Sequence, residues 1–279
     1  MIVSVVEPGI PDEIDEQLPG VKEYRQIYEH TVPIIDYDRS RPDQVGSGVF
    51  IAVDEREFVV TAAHVFESGF QKVGFGYLDD QGFHVFGSVG VPILTARAQS
   101  GGGNPQTAIY KDELDLAIIE PDAKTLEALY AHYRPFELRS CSFDPGATSG
   151  VVTGWPSRKN KYNAYKRQYE FDTCYHIQCP ILSVEQTRTA GLNPDIFIAL
   201  SADKKKDFAL PSGERLHLPN LEGMSGGGFW VNSFDPQKGW SLAGVLVEDD
   251  APKRMLKVIR ASHIWTPLRQ FFIHSSGSQ

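Results

Sequence analysis

Paired cysteines and long hydrophobic runs are the features that this sequence has least of. No stretch approaches the roughly 18 to 20 apolar residues that a membrane-spanning helix needs, so we expect no membrane partner. The three cysteines, Cys141, Cys174 and Cys179, are an odd and sparse set that makes a poor disulfide framework and fits a reducing compartment. At Cys174 and Cys179 we expect buried thiols rather than a metal site.

An excess of positive charge is also missing. The chain of 279 residues has a formal net charge of −9, which argues against a general nucleic-acid binder because such proteins need a basic surface. Its eight histidines include no zinc signature such as H-E-x-x-H. We therefore expect no metal, no cofactor and no nucleic-acid partner.

The beginning of the chain lacks the basic region and the apolar stretch of a secretory signal peptide. We therefore expect a cytoplasmic protein, or one from which a leader has been removed. Residues 1–24 are acidic and interrupted by proline, which is typical of an extension rather than of a core. The expected organisation is an N-terminal extension over 1–30, strand-rich halves over 31–135 and 136–262, and a C-terminal helix and tail over 263–279.

Short apolar runs separated by turn residues fill most of the chain, which contains 25 glycines and 18 prolines. Many strands at short spacing predict a β-barrel or β-sandwich rather than alternating β–α–β units. Residues 123–133 predict a helix, and Thr266 followed by Pro267 is typical of the start of another. The expected strands are 49–53, 58–61, 73–78, 83–89, 91–97, 115–119, 149–154, 168–178, 181–189, 195–200, 228–233, 241–247 and 256–260.

A serine lies inside a glycine-rich segment, Gly-Met-Ser-Gly-Gly-Gly, at residues 223–228. A serine hydroxyl is a poor nucleophile until a neighbouring base takes its proton. Flanking glycines let the backbone turn tightly and aim amide N–H groups at a developing oxyanion. Ser225 is therefore a candidate nucleophile, provided that the chain also supplies a base and an acid that orients it.

A histidine and an aspartate in the first half are the candidates for these two tasks. His64 directly follows an apolar strand on a turn of small residues, and histidine titrates near neutrality, so it can take and return a proton. Asp115 lies within an apolar run, where a carboxylate is costly to bury unless it has a partner. A histidine N–H is a suitable partner, since the carboxylate then holds the ring in one tautomer. Asp112 is a competing carboxylate in a more polar setting.

The three motifs occur in the order His, Asp, Ser, each beside a strand-like segment. In Thr-Ala-Ala-His64, Asp115-Leu-Ala-Ile and Gly-Met-Ser225-Gly-Gly the chain resembles the chymotrypsin/trypsin-like serine proteases. The resemblance implies an all-β fold of two six-stranded antiparallel β-barrels, over 31–135 and 136–262, with the active site between them and a helix at the end.

The resemblance also implies the role of each residue. Ser225 attacks a peptide carbonyl, and His64 acts first as the general base and then as the general acid. Asp115 orients His64, while the amides of Gly223 and Ser225 form the oxyanion hole. The implied activity is that of a serine endopeptidase acting on a protein or peptide substrate, without a cofactor.

Two residues depart from the pattern of the secreted members of that family. Val65 stands where those proteins usually have a disulfide cysteine, which is consistent with a reducing compartment. Met224 replaces the aspartate that receives a freed N-terminus in the members activated from zymogens. We therefore expect an enzyme of the intracellular, non-zymogen type, controlled by loop ordering or by an activating protein partner.

The substrate pocket is the least specific part of the resemblance. The family's pocket floor matches Pro219, so the aspartate that selects basic side chains in trypsin is absent. The pocket wall matches Val247, Glu248 and Asp249. These acidic groups either attract a basic substrate side chain or form a solvated turn, and the sequence leaves both readings open.

Two other functions are compatible with the sequence. An α/β-hydrolase-type esterase would use Ser225 with His263 and either Asp249 or Asp250, but it needs a strand before the serine and a helix after it. The residues around the serine instead predict a loop followed by a strand. The second alternative is a catalytically silent, protease-like binding module.

Overall fold

A computed structural model describes the chain over residues 3–6, 26–36, 43–66, 73–79, 82–86, 91–96, 114–138, 147–157, 160–163, 168–171, 174–202, 208–209, 215–216, 221–232 and 239–268. The protein is mostly β structure, with two large sheets in which all strand pairs but one are antiparallel within the described residues. The β-rich fold that the strand pattern predicts is thereby confirmed.

The strands are β1 (Val3–Val6), β2 (Thr31–Asp36), β3 (Asp43–Val53), β4 (Arg56–Thr61), β5 (Val73–Asp79), β6 (Gly82–Phe86), β7 (Val91–Ala96), β8 (Leu116–Glu120), β9 (Phe136–Glu137), β10 (Ser149–Gly154), β11 (Asn160–Asn163), β12 (Gln168–Phe171), β13 (Cys174–Pro180), β14 (Phe197–Ser201), β15 (Phe208–Ala209), β16 (Arg215–Leu216), β17 (Gly228–Asn232), β18 (Trp240–Asp250) and β19 (Met255–Arg260). The helices with described bounds are α1 (Ala123–His132) and α2 (Val184–Thr189).

The first sheet has the strand order β6-β5-β2-β3-β4-β8-β7, and β9 pairs with β3 in parallel. Its central hairpin, β3–β4, turns through Asp54 and Glu55, whose φ angles are +47° and +66°. Positive φ at both central residues is the geometry of the two-residue turn that matches the twist of a hairpin. The hairpin core is apolar, with Phe50, Val59 and Val60 fully buried.

The second sheet has the order β1-β13-β10-β17-β18-β19-β14. Its edge strand β1 comes from the beginning of the chain and pairs with β13 over the register from Val3 opposite Ile177 to Val6 opposite Cys174. Part of the segment 1–30, which the sequence predicts as an extension, is therefore a strand of the second sheet. Two separate hairpins, β11–β12 and β15–β16, complete the described strands.

A buried polar network joins the two sheets. The hydroxyls of Thr31 in β2 and Thr153 in β10 lie 2.9 Å apart, and Trp230 Nε1 donates to Thr153 Oγ1 at 3.0 Å. Trp155 Nε1 donates to the Thr31 carbonyl at 3.1 Å. Because a buried polar atom without a partner is costly, these bonds favour one relative placement of the sheets.

Helix α1 begins where the sequence predicts it, since Asp122 caps it by accepting a hydrogen bond from the amide of Thr125 at 2.8 Å. The segment 181–189 is predicted as a strand, and that prediction is wrong. Ser183 and Gln186 form a capping box, in which each side chain accepts from the other residue's amide, and α2 follows it.

The last described residues, 262–268, are helical. The helix therefore begins before Thr266, the residue that the sequence predicts as its cap. The Thr266 hydroxyl instead donates to the Ser262 carbonyl at 2.9 Å, a bond within the helix. None of the helices in the described ranges is long and apolar enough to cross a membrane.

Burial of His176 in β13 predicts an acid-sensitive stability. Its side chain is 1% exposed, and burial lowers its pKa from the usual 6.5 to about 3. Between these values the unfolded chain binds the proton and the folded chain does not. The free energy of unfolding should therefore fall as the pH drops below 6.5, by up to about 1.4 kcal/mol per pH unit.

Urea unfolding at several pH values between about 7.5 and about 4.5 measures this slope, because that range spans the ordinary pKa of 6.5. The variant His176→Gln should show a shallower fall than the wild-type chain. The matched control is His263→Gln. This half-buried histidine lies on the C-terminal helix, and its replacement should leave the wild-type slope unchanged. Equal slopes in the wild type and His176→Gln would refute the assignment.

Candidate active site

His64 and Asp115 are brought together by the pairing of two strands. His64 lies in a short 3-10 turn, Ala63–Phe66, directly after β4, and Asp115 immediately precedes β8. Because β4 and β8 are antiparallel neighbours, with Thr61 opposite Ala117, the end of one lies beside the start of the other.

Both carboxylate oxygens of Asp115 bind His64. Oδ1 accepts from the His64 backbone amide at 2.9 Å, and Oδ2 is hydrogen-bonded to the ring at Nδ1. An ionised carboxylate only accepts hydrogen bonds, so Nδ1 carries the proton and Nε2 is left as the basic nitrogen. The side chains are 30% and 27% exposed respectively, so the pair is sheltered and still reachable from solvent.

Ser225 lies in a tight double turn that leads into β17. The Met224 amide donates to the Leu221 carbonyl at 2.9 Å, and the Gly227 amide donates to the Met224 carbonyl at the same distance. The Gly226 amide donates to the Leu246 carbonyl of β18 at 2.6 Å. The serine is thus preceded by a turn and followed by a strand, as the sequence predicts.

Two positions in this turn accept only glycine. Gly226 has a φ of +90°, and a Cβ there would lie 1.9 Å from the Ser47 carbonyl oxygen. A Cβ on Gly227 would lie 1.8 Å from the Thr153 carbonyl oxygen. Both distances are far inside van der Waals contact, so the glycines let the serine turn press against both sheets.

The amides of Gly223 and Ser225, predicted to form the oxyanion hole, are available as donors. Neither amide donates to any group within the described part of the chain, whereas the amides of Met224, Gly226 and Gly227 all donate to backbone carbonyls. Partly buried N–H groups without an acceptor are uncommon in folded proteins. These two therefore have the free donors that stabilisation of an oxyanion requires.

The serine turn is held by strand β3 of the opposite sheet. The Gly223 carbonyl accepts from Gln44 Nε2 and from Ser47 Oγ, each at 2.9 Å. The Ser47 amide donates to the Ser225 carbonyl at 2.8 Å, and Ser47 Oγ accepts from the Trp155 amide at 2.8 Å. No sequence motif marks Gln44 or Ser47, so neither residue is predicted from the sequence.

A cleft of about 390 Å³ contains the predicted catalytic residues. It is lined by His64, Asp115, Ser225, Val247, Glu248, Asp249 and Lys257. Six of these residues are predicted from the sequence, and Lys257 is the seventh, which no sequence motif marks. Pro219, the predicted pocket floor, lies outside the described residues.

No hydrogen bond joins Ser225 to His64 within the described residues, although both line this cleft. Catalytic hydrogen bonds are often long before a substrate binds.

A β-bulge shapes the wall of the cleft. The pairing of β18 with β19 shifts between Leu246 and Glu248, so that Val247 is the extra residue and Glu248 lies opposite Lys257. Bulges kink a strand and redirect its side chains, which explains how consecutive residues of one strand, Val247 and Glu248, both reach the cleft.

Met224 and Val65, the two residues that differ from the pattern of the secreted serine proteases, are apolar and buried. Met224 is fully buried and packs with Leu221 and Phe229 in the core of the second sheet. Val65 is 4% exposed and lies against Gly46, where a Cβ would meet the valine methyl at 2.5 Å. Packing therefore holds these positions, without a disulfide or a buried charge.

Of the residues that the esterase alternative would use, Asp249 lines the cleft of Ser225, whereas His263 and Asp250 do not. His263 lies on the terminal helix, where its Nε2 is 3.2 Å from the Asp195 carbonyl, and it does not line the cleft of Ser225. Asp250 forms an ion pair with Lys253 at 3.1 Å. The histidine that shares the cleft with Ser225 is His64.

The described residues contain no group of three or more His, Cys, Asp or Glu side chains able to hold a metal ion. No protein-family model matches the chain, and no curated protein matches it. The functional inference therefore depends on the geometry of the site.

The hydrogen bonds of Ser47 predict that this residue stabilises the contact between the two sheets. Ser47→Ala removes one donor from the Gly223 carbonyl and removes the acceptor of the Trp155 amide. We expect a loss of about 1–3 kcal/mol in the free energy of unfolding. Amide hydrogen exchange at Met224, Gly226 and Gly227 should also become faster, because the turn loses part of its anchor.

The matched control is Ser157→Ala. The Ser157 hydroxyl donates to the neighbouring Glu222 carbonyl at 3.1 Å at the surface, and the Ser157 amide donates to the same carbonyl in either variant. Its loss should stay within about 0.5 kcal/mol. Equal effects of the two substitutions would show that Ser47 does not anchor the turn.

Proposed function

We propose that this protein is a serine endopeptidase of the chymotrypsin/trypsin-like type. The observation that carries the proposal is the pairing of His64 Nδ1 with Asp115 in the same cleft as Ser225. The free amides of Gly223 and Ser225 add a second component of the same chemistry.

In the proposed reaction Ser225 Oγ attacks the carbonyl carbon of a peptide bond, and its proton passes to His64 Nε2. Asp115 stabilises the imidazolium that forms, and the two amides stabilise the oxyanion. The C–N bond then breaks, the amine takes the proton from His64, and an acyl-enzyme remains. Water, deprotonated by His64, hydrolyses this ester and releases Ser225.

The proposal includes the finer fold, in which six strands of each large sheet close into one of two β-barrels. The division of the catalytic groups supports it, because His64 and Asp115 belong to the first sheet and Ser225 leads into the second. The contacts of Gln44 and Ser47 with the serine turn support a cleft at the junction of the sheets.

Regulation by loop ordering or by an activating protein partner is also part of the proposal. The apolar burial of Met224 supports it, since no carboxylate at that position is available to receive a freed N-terminus. A cytoplasmic location remains a prediction from the sequence.

Labelling with a fluorophosphonate probe, followed by peptide turnover, tests the proposed activity. The wild-type chain should label at Ser225, and Ser225→Ala should not. Replacement of Ser225 or His64 by alanine should lower kcat by roughly 10⁴-fold or more, because the triad acts as a unit.

His263→Ala is the matched control, since it removes a histidine outside the cleft. Its turnover should equal that of the wild type. Activity that survives His64→Ala but not His263→Ala would favour the esterase. Absence of labelling and turnover, with candidate activators present, would favour the silent binding module.

A further inference from the structure

Lys257 is the cation of the cleft, and the described lining contains no other lysine or arginine. Its side chain is 20% exposed, and its ammonium lies 4.3 Å from the centroid of the Phe197 ring. Phe197 is itself 2% exposed and part of the core. A cation over a buried aromatic face is attracted to it, so Lys257 is held in place before any ligand binds.

The ammonium of Lys257 has unused hydrogen-bonding capacity. It carries three N–H donors, and none of them reaches an acceptor at hydrogen-bond distance within the described residues. The nearest carboxylate oxygen, Glu248 Oε2, is 3.7 Å away, which makes a loose ion pair rather than a hydrogen bond. A largely buried cation without hydrogen-bond acceptors is a site that gains from binding an anion.

Glu248 is a replaceable partner. Its side chain is 56% exposed, and it lies opposite Lys257 across the strand pair β18–β19. Exposed ion pairs contribute little to stability, so displacing the Glu248 carboxylate into water costs little. A ligand carboxylate that makes true hydrogen bonds to the ammonium would therefore replace it.

We propose that Lys257 is a specificity-determining residue, which binds a carboxylate side chain, Asp or Glu, of the peptide substrate close to the scissile bond. The proposal rests on the proposed endopeptidase function, because it assigns the substrate of the same cleft. The substrate class is thus an acidic peptide segment, with Glu248 occupying the carboxylate position in the free protein.

A basic substrate is the alternative to an acidic one, and two carboxylates of the cleft, Asp115 and Glu248, do not favour it. Asp115 is already bound to His64 through both oxygens. Glu248 is well exposed and keeps most of its hydration. A substrate ammonium would also approach Lys257 and be repelled by it, whereas a carboxylate would meet a held cation with free donors.

A positional-scanning library of fluorogenic tetrapeptides tests the proposal, with each position in turn fixed as Glu, Gln or Lys. At one position the wild-type chain should give a kcat/KM about tenfold higher for Glu than for Gln, the size expected for a charge-assisted hydrogen bond. Lys257→Met should bring this ratio close to one, and Lys257→Glu should favour Lys. Glu248→Gln should raise the ratio, because it removes the competing carboxylate.

Lys253→Met is the matched control. Lys253 lies four residues earlier in the same hairpin, is 54% exposed and pairs with Asp250 rather than facing the cleft. It removes the same charge and should keep the wild-type ratio of Glu to Gln. An equal fall of the ratio in Lys253→Met and Lys257→Met would mean that net charge, not the position of Lys257, sets the preference.

A binding assay separates this proposal from the proposed function. Fluorescein-labelled peptides with the same Glu, Gln or Lys substitutions are titrated into the Ser225→Ala chain and followed by anisotropy. Selective binding of the Glu peptide that is lost in Lys257→Met supports the carboxylate site even where the wild type cleaves nothing. Turnover by the wild type without a Glu preference in either assay overturns the inference and leaves the endopeptidase standing.

Two further outcomes overturn the inference. A preference for Lys peptides that grows in Lys257→Met would make Glu248 the determinant. Absence of both cleavage and binding would overturn the inference together with the proposed function.

Discussion

The candidate site depends on the hydrogen bonds that the Gly223 carbonyl accepts from the side chains of Gln44 and Ser47. They join the serine turn of one sheet to the central strand β3 of the other. The bond from the Ser47 amide to the Ser225 carbonyl fixes the next residues of the turn. A small displacement of reacting groups has a large effect on rate, so this cross-sheet anchor sets the geometry on which the proposed chemistry relies.

The two halves of the site are specified in different ways. The pair of His64 and Asp115 needs only the pairing of β4 with β8, and the carboxylate binds both the ring and the backbone of the histidine. Ser225 needs the second sheet, the glycines that admit close backbone contact, and the anchor from β3. The serine is thus the component that depends most on the relative placement of the two sheets. Regulation by loop ordering would act most directly at this component.

The sequence predicts that His64, Asp115 and Ser225 act together because each lies beside a strand in a short motif, and the structure brings all three to one cleft. The sequence does not predict the roles of Gln44, Ser47 and Lys257, because their side chains contact residues that are distant in the sequence. The residues next to them in the sequence give no sign of these contacts. The segment 181–189 predicts a strand because the apolar residues at its start, Ile181, Leu182 and Val184, suit a strand, whereas the capping box favours the helix α2. Local patterns therefore predict the elements and their chemistry, and long-range packing decides the anchor and the wall of the cleft.

The net charge of −9 and the proposed preference for an acidic substrate act over different distances. Exposed charges are screened beyond about 8 Å at physiological ionic strength, so the overall charge mainly lowers the rate at which an acidic peptide arrives. Once the peptide is in the cleft, the nearest charges dominate, and the ammonium of Lys257, held over Phe197, interacts with it more strongly than the well-exposed carboxylate of Glu248 does. A slow association rate and selective binding of an acidic peptide are therefore compatible in one protein. Raising the salt concentration would increase the association rate and would weaken the binding in the cleft only modestly.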